Sequence, residues 1–249
     1  MQTDGASAFI TVRGLCKAFG DNAVLRGVNL QVQRGETLVV LGASGSGKSV
    51  LLRHLNGLLR PDRGEVIVEG VNLNTLSEDE LAQVRVKVAM VFQLSGLFDS
   101  LNVSENIAYP LREHLRLGED AIRRRVAELL KMVELANVER LLPAELSGGM
   151  KKRVALARAI AIEPKAVLYD EPTTGLDPLV THRINLLIRS LQQQLGYTSV
   201  VVTHDLKSAF MVGDRFALLD DGKIRFSGTA EEVRETRDEL MSEFVKTAL

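Results

Sequence analysis

TLVVLGASGSGKSVLLRHLNGLL, residues 37–59, decides how the rest of this 249-residue chain is read. Its opening TLVVLG is apolar and rich in branched residues, the composition of a strand buried on both faces. The octet Gly42-Ala43-Ser44-Gly45-Ser46-Gly47-Lys48-Ser49 matches G-x-x-x-x-G-K-[ST]. KSVLLRHLNGLL then reads as a helix opening directly from it. Glycines let such a loop turn its backbone N–H groups inward, a nest of fixed partial positive charge that holds phosphates. Lys48 adds a full charge, and Ser49 offers a hydroxyl to Mg²⁺. Gly42, Ser44, Gly45, Ser46, Gly47, Lys48, Ser49 and Val50 are therefore the candidate nucleotide-binding residues.

Working outward, two more apolar runs have the same character, KAVLYDE at 165–171 and SVVVTHD at 199–205. With 37–42 they predict a parallel α/β core. The segments FITV at 9–12, VNLQV at 28–32 and GEVIVEG at 64–70 alternate and are punctuated by turn residues, which predicts an antiparallel sheet. VSENIAYPLREHL, EDAIRRRVAELLKMVEL and GGMKKRVALARAIAI carry apolar residues at three- and four-residue spacing. The expected organisation is one domain: residues 1–93 and 165–228 as a nucleotide-binding core with an antiparallel β subdomain, 94–164 as an inserted helical subdomain, and 229–249 as a helical tail. DPLVTHRINLLIRSLQQQLG is the expected crossover helix between core strands. Val233, Leu240 and Phe244 would share one stripe of the tail. With only 229–249 beyond the last expected strand, no appended regulatory domain is expected.

The ends of the predicted strands carry the candidate chemistry. Asp170 and Glu171 close one strand; neighbours on a strand point to opposite faces, so the two carboxylates are given different roles. Asp170 is assigned to water on Mg²⁺, and Glu171 to orienting or deprotonating an attacking water. Gln93, after the apolar run VAMVF, is placed to reach Mg²⁺ or that water, and His204 to contact the γ-phosphate. His54, His114 and His182 lack ligand spacing and are assigned no chemistry. A second anion site is foreshadowed by Ser147-Gly148-Gly149 before a helical run, since helix N-termini favour anions. Met150 follows it.

Composition narrows the field. A formal net charge of -1 argues against a nucleic-acid partner held by bulk electrostatics. The single Cys16 forms no internal disulfide, which fits a reducing compartment. The N-terminal MQTDGASAFITV lacks the pattern of a signal peptide, and no apolar run approaches the ~20 residues of a membrane span. The basic runs Arg123–Arg125 and Lys151–Arg153 are read as solvated helix faces.

The order of these motifs resembles that of the ATP-binding cassette (ABC) ATPases along nearly the whole chain. GASGSGKS is similar to the Walker A loop, Gln93 to the Q-loop, LSGGM to the signature, VLYDE to Walker B, TGLD at 174–177 to the D-loop and His204 to the switch histidine. Phe19 matches the aromatic residue that stacks on adenine. The resemblance implies the ABC ATPase fold, with a RecA-like P-loop NTPase core, and ATP hydrolysis with Mg²⁺ held by Ser49, Gln93 and Asp170. It implies catalytic roles for Glu171, His204 and Gln93. It also implies a head-to-tail homodimer in which Ser147, Gly148 and Gly149 serve the ATP held by the other copy, and it counts Asp177 of the D-loop among the nucleotide-binding residues. Met150 departs from the usual glutamine of LSGGQ and leaves the Ser-Gly-Gly anion site intact.

LSGGM with KKRVALARAIA, and SGLFDSLNVSENIAYPLREH at 95–114, are similar to the ATPases of bacterial phospholipid transport systems of the Mla type, which work with MCE-domain proteins. The implied partners are an integral-membrane permease docking near 94–114, with Leu97, Phe98 and Tyr109 as candidate contacts, and an MCE-domain lipid-binding protein. The implied location is the cytoplasmic face of the bacterial inner membrane. Alternatives are an importer ATPase for an amino acid or other small solute, and a nucleotide-dependent switch with little turnover. A soluble ABC protein of translation or repair would require a second cassette or a long coiled-coil insert.

Overall fold

The computed structural model describes residues 8–236, 238 and 241–242. The chain opens with a long hairpin, β1 (Ile10–Phe19) and β2 (Asn22–Val32), and then enters β3 (Thr37–Leu41) and α1 (Lys48–Leu55). β4 (Arg63–Val68) and β5 (Val71–Asn72) lead to α2 (Glu78–Lys87) and β6 (Val88–Val91). Three helices follow, α3 (Val103–His114), α4 (Glu119–Met132) and α5 (Gly148–Ile160). The chain then alternates through β7 (Ala166–Asp170), α6 (Pro178–Leu195), β8 (Thr198–Thr203), α7 (Leu206–Val212), β9 (Arg215–Asp220), β10 (Lys223–Thr229) and α8 (Ala230–Glu235).

Two sheets result. One is antiparallel, in the order β2-β1-β4-β5; the other runs β10-β9-β3-β8-β7-β6, parallel from β9 to β6 with β10 antiparallel at its edge. The apolar runs at 37–42, 165–171 and 199–205 lie side by side at its centre, each strand buried throughout. Burial on both faces explains their lack of alternation. Val39 and Leu41 face a cluster built with α3 to α7, whereas Leu38 and Val40 face one built with α1, α2 and the antiparallel sheet.

Local signals account for most boundaries. Asn102 caps α3 and Glu105 returns the bond; Ser77 and Glu80 form the same box at α2. α1 stops at Leu55, short of the expected Leu59. Gly57 turns left-handed at φ 69°, and a Cβ there would lie 2.5 Å from Leu81 Cδ2. In the tail, α8 buries Val233 against the core, while Leu240 and Phe244 lie outside the described residues.

Candidate functional site

Four parallel strands end together. Leu41 pairs with Thr203, Asp170 with Val202 and Val91 with Tyr169, so the residues that follow, Gly42, His204, Glu171 and Gln93, emerge at one edge of the sheet. This carboxyl edge is where open α/β sheets hold ligands.

The loop 42–47 wraps the start of α1. Gly47 caps the helix in the left-handed region at φ 100°, and its Cβ would lie 2.9 Å from Val24 Cγ1. At Gly42 a Cβ would lie 2.4 Å from the Leu219 carbonyl oxygen. Both positions therefore exclude a side chain. Lys48 is buried; its Nζ donates to the carbonyls of Gly42 (2.9 Å) and Ala43 (3.0 Å) and stands 3.6 Å from Glu171 Oε1. The Ser46 hydroxyl is buried without a hydrogen-bond partner. An orphaned buried donor at a helix N-terminus suits an anion, because a buried polar group left unpaired is costly.

Ser49 Oγ donates to Asp170 Oδ1 at 2.6 Å. One hydroxyl and one carboxylate suit Mg²⁺, which keeps several waters and binds through few protein groups plus phosphate oxygens. Among the described residues no three His, Cys, Asp or Glu side chains cluster as a self-sufficient metal cage. The donor set fits a metal that arrives with a nucleotide.

The two carboxylates differ for a reason other than strand pleat. β7 ends at Asp170, and Glu171 already lies in the left-handed region at φ 47°, a conformation that costs a non-glycine residue on the order of 1–3 kcal/mol. Its N–H donates to the Val202 carbonyl (3.0 Å), which fixes the turn. The turn swings its carboxylate over Lys48, where Thr174 Oγ1 donates to Oε2 and His204 Nδ1 lies from Oε1 at 3.0 Å each. With a carboxylate as acceptor, Nδ1 carries the ring proton. The side chain is thus held by three partners and remains 10% exposed.

The second glycine-bearing helix start is built differently. Ser147 is exposed and caps α5, its Oγ accepting from Met150 N at 3.3 Å. A Cβ on Gly149 would lie 2.7 Å from Val180 Cγ1, and one on Gly148 3.2 Å from Leu176 Cδ2. The glycines make room for this chain's own α6 and the loop before it. Met150 is half-buried against the core, so the departure from glutamine is absorbed by packing. Asp177 caps α6, accepting from Leu179 N and Val180 N. Beside it a cavity of about 940 Å³ opens between the segment 171–176, α6 and α7.

Gln93 is exposed, and its carbonyl accepts from Lys152 Nζ. Lys152 corrects the expectation of a solvated basic face: it is buried, and Arg153 turns inward to the Val133 carbonyl and Glu134. Burial holds the Lys152 ammonium pKa below its ordinary value, and the charges of Asp170 and Glu171 offset only part of that lowering. Arg158, on the same helix, donates to the Ser95 carbonyl and lies 5.6 Å from the Phe98 ring centroid. The following loop is tied by Asn106, fully buried, which exchanges bonds with the Phe98 backbone and donates to the carbonyls of Leu101 and Asn102.

Phe98 and Tyr109 pack on each other at 4.9 Å between centroids, yet both remain over 40% exposed. Leu97 turns inward to the core. The most exposed apolar side chain here is Leu94, at 90%, which no sequence motif singles out. Phe19, at the β1–β2 turn, is half-exposed with Lys17 Nζ 5.6 Å from its ring centroid.

Several known proteins are similar to this chain over most of its length. The model of the ABC transporter family matches residues 25–174. The intermembrane phospholipid transport system ATP-binding protein MlaF of Haemophilus influenzae is 39% identical over 237 residues, 95% of this chain and 90% of that protein. The probable ribonucleotide transport ATP-binding protein mkl of Mycobacterium leprae is 39% identical over 236 residues, 95% of this chain and 68% of that protein. A dimeric structure of the ATP-binding cassette MJ0796, in a post-hydrolysis state bound to ADP and Pi, aligns with a TM-score of 0.82 at 36% identity, over 88% of this chain and 98% of that one.

Proposed function

The chain belongs to the ABC transporter family, and from that premise we propose that it is the ATP-hydrolysing subunit of a transporter moving phospholipid between membranes. The observation that carries the chemistry is Glu171, turned out of its strand and fixed by Lys48, Thr174 and His204 at the mouth of the phosphate loop. In this reading the N–H groups of Gly42 and Ser44–Val50 hold the phosphates, and Phe19 stacks on the base. Ser49, Asp170 and Gln93 hold Mg²⁺, which when bound supplies charge neutralisation at the transferred phosphate. Glu171 takes a proton from the attacking water, and His204 senses the γ-phosphate from the neighbouring strand end.

Ser147, Gly148, Gly149 and Asp177 serve the nucleotide of a second copy. The dimeric MJ0796 cassette supports this assembly. So does the exposed N-terminus of α5, whose partial charge favours an incoming phosphate. Differential affinity for ATP and its products then opens and closes the pair. Residues 94–164 form the helical subdomain of this cycle. No helix among the described residues is long and apolar enough to cross a membrane, which supports a separate permease on the inner membrane. The exposed pair Phe98 and Tyr109, with the exposed Leu94 on the same loop as Phe98, offers apolar contacts that grip it from the cytoplasmic face.

Phospholipid is favoured as cargo by the match along 90% of MlaF; ribonucleotide is the second reading, favoured by the equal identity to mkl. The two separate in a mild-detergent purification from native membranes with protein and lipid mass spectrometry. A permease with an MCE-domain protein and bound phospholipid is the expected result. A permease with a small-solute binding protein would overturn the cargo.

A further inference from the structure

Three motifs meet at one buried ammonium. Lys152 lies in the first turns of α5, five residues after Ser147, and only 5% of it is exposed. Its Nζ donates to the carbonyl of Gln93, and Asp170 and Glu171 lie within electrostatic range. One turn and a half further on, Arg158 donates to the Ser95 carbonyl at 3.2 Å, where the backbone is left-handed at φ 64°. The loop after β6 is therefore pinned at two carbonyls by cations from one helix. Burying a lysine is costly unless its charge is compensated. Here the compensation comes from the Gln93 carbonyl and from the field of the two carboxylates at the sheet edge.

We propose that Lys152 is a positioning residue that ties the Gln93 backbone to the helix carrying Ser147, Gly148 and Gly149, and so sets where the Gln93 side chain stands relative to Ser49 and Asp170. The inference rests on the proposed function above and deepens it. A signature helix that shifts on meeting the other copy's ATP carries Gln93 with it. Mg²⁺ coordination in one site then responds to the nucleotide in the other. Arg158 keeps the rest of the loop, and with it Phe98, on the same helix.

The test uses the full chain with Lys152→Met, which keeps the stem and removes donor and charge, and Lys152→Gln, which restores an N–H donor. A fluorescent ATP analogue reads affinity with Mg²⁺ and with EDTA; turnover and melting temperature are measured alongside. For Lys152→Met the expected result is unchanged affinity in EDTA, loss of the Mg²⁺ enhancement, and turnover lower by about 10- to 100-fold, the scale of a misplaced group. Lys152→Gln recovers part of both. In a Gln93→Ala background Lys152→Met adds no further loss, as two steps of one coupling should behave.

A full additional loss in the Gln93→Ala background overturns the proposal. So does an equal loss of affinity with and without Mg²⁺ that tracks melting temperature, which marks a packing role. If Lys152→Met does not fold, Lys152→Gln in both backgrounds separates the same two outcomes. An unmutated chain that binds no ATP contradicts the proposed function itself, whereas unmutated binding with an unaltered Mg²⁺ response in the variants contradicts this inference alone.

Discussion

The phosphate-loop helix α1 and the helix α5 both start at glycine-bearing turns, and the surroundings of their N-termini are opposites. At α1 the loop is walled in: Gly42 and Gly47 face Leu219 and Val24, Lys48 bonds its own loop, and Asp170 and Glu171 close the mouth. At α5 the glycines pack backwards onto Leu176 and Val180, and Ser147 is exposed with only its own helix to cap. The first start is completed by this chain. The second is held firmly from behind and left open in front, as the proposed contact with another copy's phosphate requires.

The comparison breaks most visibly at Glu171. Glu171→Gln should preserve shape and nucleotide binding while removing the proposed base, so turnover should fall by about 10²- to 10⁴-fold. A steady-state assay beside a binding titration checks it; near-normal turnover would move the catalytic base elsewhere.

Gly149→Ala tests the rear packing of α5. Its new methyl meets Val180 Cγ1, and overpacking of this kind costs about 1–3 kcal/mol. The melting temperature should drop by roughly 2–4 °C for each kcal/mol, and Val180→Ala in the same chain should recover much of it. A drop in activity with no change in melting, and no rescue, would assign Gly149 wholly to the open face.

Ser147→Ala separates the helix cap from the proposed contact with another copy's nucleotide. Loss of the cap costs about 1 kcal/mol of stability. ATP affinity of the separate chain should stay unchanged, while ATP-driven association weakens by more than the stability loss explains. Equal losses in both would reduce Ser147 to a cap.

The smallest effect comes from His54, whose Nδ1 lies 2.7 Å from the Val50 carbonyl and whose Nε2 is buried without a partner. Burial lowers its pKa from the ordinary 6.5. As pH falls through 6.5 the unfolded chain takes up a proton before the folded one does, so stability declines there, by at most about 1.4 kcal/mol for each unit of lowering. Urea midpoints above and below that pH should differ less in His54→Gln than in the parent. An unchanged pH slope would remove His54 as its source.

The contrast between the two helix starts also explains what was legible in the chain. The octet 42–49 states its own geometry, because strand, loop and helix are consecutive and each glycine has a local reason. The edge residues Asp170, His204 and Gln93 follow once the buried runs are aligned as parallel strands. α2 was within reach, since Ser77-x-x-Glu80 is a capping box, but it lacks an apolar stripe to draw attention. Lys152 was not. A lysine within Lys151–Arg153 looks like a wet helix face until α5 is seen lying behind the Gln93 loop. The left-handed turn at Glu171 was equally hidden, because nothing in VLYDE distinguishes a continuing strand from one that breaks at its last residue. Packing between segments far apart in the chain decides both.

The central claim is that α5 completes the phosphate site of another copy. The most direct measurement is sedimentation equilibrium of the full-length Glu171→Gln protein, with bound nucleotide quantified. In saturating ATP and Mg²⁺ the account predicts particles of two chains holding two ATP, and single chains without nucleotide. Single chains with ATP bound at saturation would contradict it.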